Sequence, residues 1–113
     1  MATDTATDTI TWKGASGRQY EYWILSLGKK MKAEPGNYMF LKRTAPNTYA
    51  SLYVGQTGDL DDRLSNPKSH HKWECVSSEG ATHICAHTNA GGEGNRKTEE
   101  ADLIAALNPP CNG

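Results

Sequence analysis

Three side chains, Tyr38, Tyr53 and Arg63, have types and spacing suited to chemistry on a phosphate. A phenol can relay a proton, and a guanidinium grips phosphate oxygens in a two-pronged way that an ammonium cannot. Tyr38 closes the run Gly36-Asn37-Tyr38. Tyr53 lies in Leu52-Tyr53-Val54-Gly55-Gln56-Thr57, and Arg63 follows ten residues later. A strand tyrosine taken alone is most simply an amphipathic sheet residue. Glu100 adds a carboxylate. It falls in the middle of a helical stripe made by Leu103, Ile104 and Leu107, while Glu99 and Asp102 fall to the sides as solvated groups should. A carboxylate on a core-facing stripe costs several kcal/mol unless it is paired or bound to a metal. Two readings stay open: an ion pair with Arg96 one turn earlier, or a metal ligand.

These groups need elements to hold them. Residues 37–43 alternate as a strand, with Tyr38 and Phe40 on one face and Met39 and Leu41 on the other. Residues 49–55 read as its hairpin partner, Leu52 and Val54 opposite Tyr53, with Pro46 and Asn47 supplying turn chemistry. Asp59 is a good N-cap, supported by Asp61 and Asp62, for a short helix carrying Arg63 and ended by Asn66-Pro67. A helical turn is expected near 72–76, and a strand over 82–88. Earlier, 10–17 reads as a short strand and 18–27 as a longer one, with helix as its rival. The last helix spans 96–107, from an Asn95 cap to the stop at Asn108-Pro109-Pro110.

At 113 residues, 36% hydrophobic and with mean hydropathy −0.70, the chain is one domain with a small core. A formal charge of −1 and a pI near 6.4 exclude a protein that coats nucleic acid by bulk electrostatics. Lys29, Lys30, Lys32, Lys42 and Arg43 cluster against a single acid, Glu34, as a phosphate-facing rim or an ordinary solvated edge. Three cysteines without paired spacing argue against a disulfide framework, and no apolar run is long enough to span a membrane. The chain therefore reads as cytoplasmic. Its organisation reads as a disordered tail at 1–9, an N-terminal extension at 10–34 packed on the domain, and the main domain at 35–113. His83, Cys85 and His87 share a strand face and could bind zinc, yet their spacing matches no recognised site and lacks a fourth ligand.

Over residues 35–112 the chain resembles the GIY-YIG nuclease superfamily. Gly36-Asn37-Tyr38 stands for the first signature and Tyr53-Val54-Gly55 for the second. Asp59-Leu60 and Arg63-Leu64 follow the family's strand-to-helix passage, and Glu100 leads into Pro109-Pro110-Cys111-Asn112. The resemblance implies an α+β domain: a central three-stranded antiparallel β-sheet flanked by helices, with an extra N-terminal strand or hairpin. It also implies hydrolysis of a DNA phosphodiester with one divalent ion, Mg²⁺ or Mn²⁺. Glu100 would hold the metal and Arg63 the phosphate. One of Tyr38 and Tyr53 would take the proton from the attacking water while the other positions it, and Asn112 would brace the site. The family often places a His shortly after the Arg, so His70 and His71 are both candidates. Gln56, Lys42 and Arg43 are the candidate substrate contacts. The implied partner is DNA, branched or damaged forms included, with a protein partner as a further candidate. Asn37 replaces an apolar residue and Gln56 a common Lys. A non-catalytic module binding nucleic acid or a protein is therefore the alternative.

Overall fold

Two hairpins and a strand that joins them make the frame. The computed structural model describes residues 9–46 and 48–112. Of the tail expected at 1–9, residues 1–8 lie outside the described residues, as does Asn47 with its turn role, while Thr9 belongs to the first strand, paired opposite Trp23. β1 (Thr9–Lys13) and β2 (Gln19–Ser26) alternate buried and exposed side chains, and Gly17, at φ 89°, sits in the turn between them. β3 (Gly36–Ala45) and β4 (Thr48–Thr57) form the second hairpin. β5 (His83–Thr88) pairs with both β2 and β3, giving one antiparallel sheet of order β1-β2-β5-β3-β4. The expected three-stranded sheet with an extra N-terminal strand or hairpin is thus one continuous sheet of five, the hairpin β1–β2 joining it through β5. Alternation along a segment identifies a strand but not its partner, so the reach of the sheet was hidden.

Three helices cover this sheet. α1 (Leu60–Leu64) starts where Asp59 Oδ1 accepts the Asp62 N–H at 3.0 Å. A 3-10 turn at Pro67–Ser69 leads to α2 (Trp73–Ser78). α3 (Glu93–Leu107) opens at Gly92, three residues before the expected Asn95 cap. It ends on Asn108, left-handed at φ 46°.

Each sheet face has its own core. Tyr38, Phe40 and Tyr53 pack with Leu60, Leu64 and Val76 under α1 and α2. Trp12, Tyr22, Met39, Val54 and Cys85 pack with Leu103 of α3 on the other face. One correction follows from a bulge. Phe40 opposes Tyr53 but Leu41 opposes Ser51, which leaves Leu52 without an opposite number. Leu52 and Tyr53 therefore join the same cluster instead of facing apart.

A second correction concerns sulfur. Cys75 of α2 and Cys111 near the C-terminus form a disulfide, their Cα atoms 5.9 Å apart across 36 residues of sequence. The odd count leaves Cys85, buried at the sheet centre. Packing of α2 against the C-terminal segment makes the pairing, so spacing alone could not announce it. Closing a loop of that length stabilises the fold by about 4 kcal/mol in the chain-entropy account.

Candidate active site

Tyr38 and Tyr53 rise from neighbouring strands on the α1 face, ring centroids 6.1 Å apart. Tyr38 is fully buried and lies across Gly55. A Cβ at Gly55 would stand 2.5 Å from Tyr38 Cζ, so only glycine admits the phenol there. Burial pushes both phenols above their ordinary pKa. The Arg63 guanidinium at the end of α1 pulls both down, and the Glu100 carboxylate pushes both up. Arg63 and Glu100 thus act on the same pair of phenols with opposite sign.

Of the two candidate histidines, His70 enters the site. Its Nε2 lies 2.6 Å from Tyr38 Oη, and its Nδ1 accepts the Lys72 N–H at 2.9 Å. An Nδ1 that accepts leaves the neutral ring's proton on Nε2, so His70 donates to the Tyr38 oxygen. Burial, aided by the charges of His71, Arg63 and Lys72, lowers its pKa to about 4, and it is neutral at pH 7. His71 is exposed and stacks on His70 at 4.5 Å. A surface depression lined by Asp62, Arg63, Ser69, His70 and His71 gives access from solvent.

Glu100 is half-buried, its pKa raised by desolvation against a smaller opposing pull from Lys97. The Arg96 ion pair does not form. Arg96 Nε donates instead to Gln56 Oε1 at 3.1 Å, and its Nη1 to the Asn89 carbonyl at 3.3 Å. Among the described residues Glu100 has neither a salt-bridge nor a hydrogen-bond partner. Asn112 accepts the Val54 N–H at 2.8 Å and donates to the Val54 carbonyl at 2.9 Å, holding β4 beside Tyr53.

Other candidates lie elsewhere. Gln56 is tied to Arg96 under α3. Lys42 and Arg43 sit toward the far end of β3, where Arg43 Nη2 donates to the Pro46 carbonyl at 2.9 Å and Lys42 lies near Gly80. His83, Cys85 and His87 do not converge: His83 meets Thr82, Cys85 is sealed in the core, and His87 meets Glu99. Among the described residues no three His, Cys, Asp or Glu side chains form a metal cluster.

Glu99 and Asp102 are not the solvated carboxylates the helical wheel suggested. Glu99, only 6% exposed, accepts from Tyr22 Oη at 2.6 Å, meets His87 Nε2 at 2.6 Å and accepts from Asn89 Nδ2 at 3.3 Å. Asp102 accepts from Ser16 N–H, Ser16 Oγ and Tyr20 Oη. The N-terminal hairpin extends the sheet beneath α3 and buries a flank that a narrower sheet would leave wet. Asn37 joins this network, donating to the Arg96 carbonyl at 2.9 Å and accepting from Asn89 at 3.1 Å, which accounts for a polar residue at a buried position. The i, i+3, i+7 spacing of Arg96, Glu99 and Leu103, all buried, was the available signal.

No family model and no curated relative matches the chain. Solved structures do. Two structures of the GIY-YIG N-terminal endonuclease domain of UvrC from Thermotoga maritima, each a Tyr-to-Phe point mutant bound to its catalytic divalent cation, superpose with TM-score 0.57. Identity is 24% and 25%, over 73% of this chain and 86% of theirs. The fold is that of the GIY-YIG superfamily. In this GIY-YIG fold the central hairpin supplies Tyr38 and Tyr53, α1 supplies Arg63, and α3 supplies Glu100.

Proposed function

We propose that the chain is a metal-dependent endonuclease that hydrolyses DNA phosphodiester bonds. The observation that carries this reading is the convergence of two buried phenols, Arg63 and His70 with a half-buried carboxylate, Glu100, that has no partner among the described residues. A lone carboxylate of this kind fits Mg²⁺ or Mn²⁺, hard ions that keep most of their waters and take further oxygens from a phosphate. Once bound at Glu100, the ion supplies charge stabilisation at the phosphate and its leaving oxygen.

The remaining work falls to side chains. Arg63 grips the non-bridging oxygens and offsets their growing charge. His70 Nε2–H and the Arg63 charge both favour the phenolate form of Tyr38 against the opposing effect of burial. Tyr38 is thereby cast as the base that takes the proton from the attacking water, with Tyr53 positioning that water. His70 orients and does not itself accept the proton, because its Nε2 already carries one. A base with a raised pKa makes the rate climb with pH through the alkaline range. Asn112 braces the strand that carries Tyr53.

The alternative, a non-catalytic module binding nucleic acid or a protein, draws on the net charge of −1 and on Gln56, which Arg96 already occupies. A titration of Mg²⁺ and Mn²⁺ against cleavage of supercoiled, linear and branched DNA separates the two, with Glu100→Ala as control. Metal-dependent nicking that the variant loses, at unchanged melting temperature, is the expected result. Absence of both cleavage and metal binding in the parent would sink the nuclease reading. The Cys75–Cys111 disulfide weighs against the cytoplasmic location expected from the sequence, since reducing compartments rarely keep structural disulfides; the redox state of the two cysteines in cells checks the location.

A further inference from the structure

The sheet face that carries Tyr38 continues past the site. Directly opposed residues of paired strands share a face, and Tyr38 opposes Ala86 on β5, which opposes Trp23 on β2. Trp23 therefore stands on the face of Tyr38 with one strand between them, about 10 Å away at the usual strand spacing. The next row, Leu25–Ile84–Phe40–Tyr53, is part of the core. Trp23 is not covered. It is 51% exposed, the one large apolar side chain exposed among the described residues.

Its surroundings narrow what it can meet. On this side of the N-terminal hairpin Thr9, Thr11, Lys13, Gln19 and Glu21 are exposed, one cation against one anion. The helices leave this surface open, because α1 and α2 pack near β3 and α3 packs on the opposite face. The hairpin surface alone is too poor in cations to track phosphates; Lys29, Lys30 and Lys32 are exposed on the segment after β2, whose Leu27 and Met31 pack on this same face, and are placed to hold a backbone beside the ring. A protein docking site needs an apolar patch of several side chains, and a single indole amid polar neighbours is not one. What remains is a flat ring on a hydrogen-bonding sheet, and such a ring stacks on any nucleobase. Measured from Tyr38, about 10 Å is about three stacked base steps along one strand, and Arg63 lies beyond Tyr38 on α1.

We propose that Trp23 is a stacking platform for an unpaired base a few nucleotides from the phosphate held at Arg63, so that the domain prefers single-stranded or locally opened substrate. The proposal rests on the nucleic-acid reading above and names the kind of substrate it takes.

The test measures binding of the full chain to a labelled single-stranded oligonucleotide and to its fully paired duplex, with Ca²⁺ in place of Mg²⁺ to hold back cleavage. Trp23→Ala and Trp23→Phe are compared with the parent. Stacking is worth ~1–3 kcal/mol per base, so Trp23→Ala should weaken single-strand binding by about 5- to 150-fold. Trp23→Phe should keep most of the affinity, and duplex binding should change less than about twofold. The melting temperature should hold, because the side chain is exposed. Unchanged single-strand affinity in Trp23→Ala overturns the platform while leaving the nuclease reading intact. So does an equal loss on duplex, which would indicate general damage to the surface, or a loss of protein association with oligonucleotide binding intact. A parent chain that binds neither nucleic acid defeats the nuclease reading and the platform together.

Discussion

The two faces of the sheet hold nearly the same chemical kit and use it differently. Under α3, Tyr22 and His87 lie with ring centroids 4.4 Å apart, tilted by 39°, and both meet Glu99, whose other oxygen accepts from Asn89. Under α1, Tyr38 bonds His70 at 2.6 Å with Tyr53, Arg63 and Glu100 nearby. On the first face the carboxylate sits inside the network and its oxygens have partners. On the second the carboxylate stands apart and Arg63 has no ion pair among the described residues. A complete polar network holds structure, whereas an incomplete one leaves valences for something that arrives.

The contrast can be broken at either face. Arg63→Ala should lose cleavage by about 10²–10³-fold, as removal of a transition-state donor does, with melting temperature held within a degree or two. Kinetics and calorimetry on one preparation would check it, and an unchanged rate would move the phosphate to another group. Glu99→Ala should do the reverse. It strands the Tyr22 and His87 partners and should cost about 3 kcal/mol in denaturant unfolding, with activity following only the folded fraction. A stable Glu99→Ala protein with lost cleavage would mean that the two faces do not divide as described. Tyr22→Phe, which removes one bond of that network, should cost only about 1 kcal/mol.

A subtler mark concerns pH. His70 holds its folded pKa near 4 against 6.5 for the free side chain. As pH falls below 6.5, the unfolded chain takes up a proton that the folded site refuses until about 4. The His70 contribution to stability is therefore complete above that window and is lost across it on acidification. His70→Asn should flatten the slope of unfolding free energy between those values, and an identical slope would place the titration elsewhere.

How much of this was legible depended on range. The β3–β4 hairpin, the Asp59 cap and the Asn108 stop rest on neighbours in sequence, and local rules suffice for them. Leu52 shares a face with Tyr53 only because the partner strand skips a residue there, which β4 alone does not reveal. The burial of Glu99 depends on β2 lying beneath α3, and the Cys75–Cys111 bond on α2 meeting the C-terminus; both are tertiary facts. His70 could be told from His71 only once the 3-10 turn had set which ring points inward. Trp23 acquired meaning only when pairing set it in a row with Tyr38.

The C-terminal segment has an effect on how copies of the molecule meet. β4 is an outer strand of the sheet, and outer strands offer unpaired backbone groups to any passing chain. Here the Cys111 N–H is spent on the Leu52 carbonyl, and the Asn112 amide takes both the N–H and the carbonyl of Val54. A side-chain amide thus stands in for a sixth strand, and the disulfide keeps it in place. The strand that presents Tyr53 is thereby closed to edge-to-edge growth along this stretch, which leaves its Thr48–Ser51 end and β1 as the outer edges where copies could add a strand.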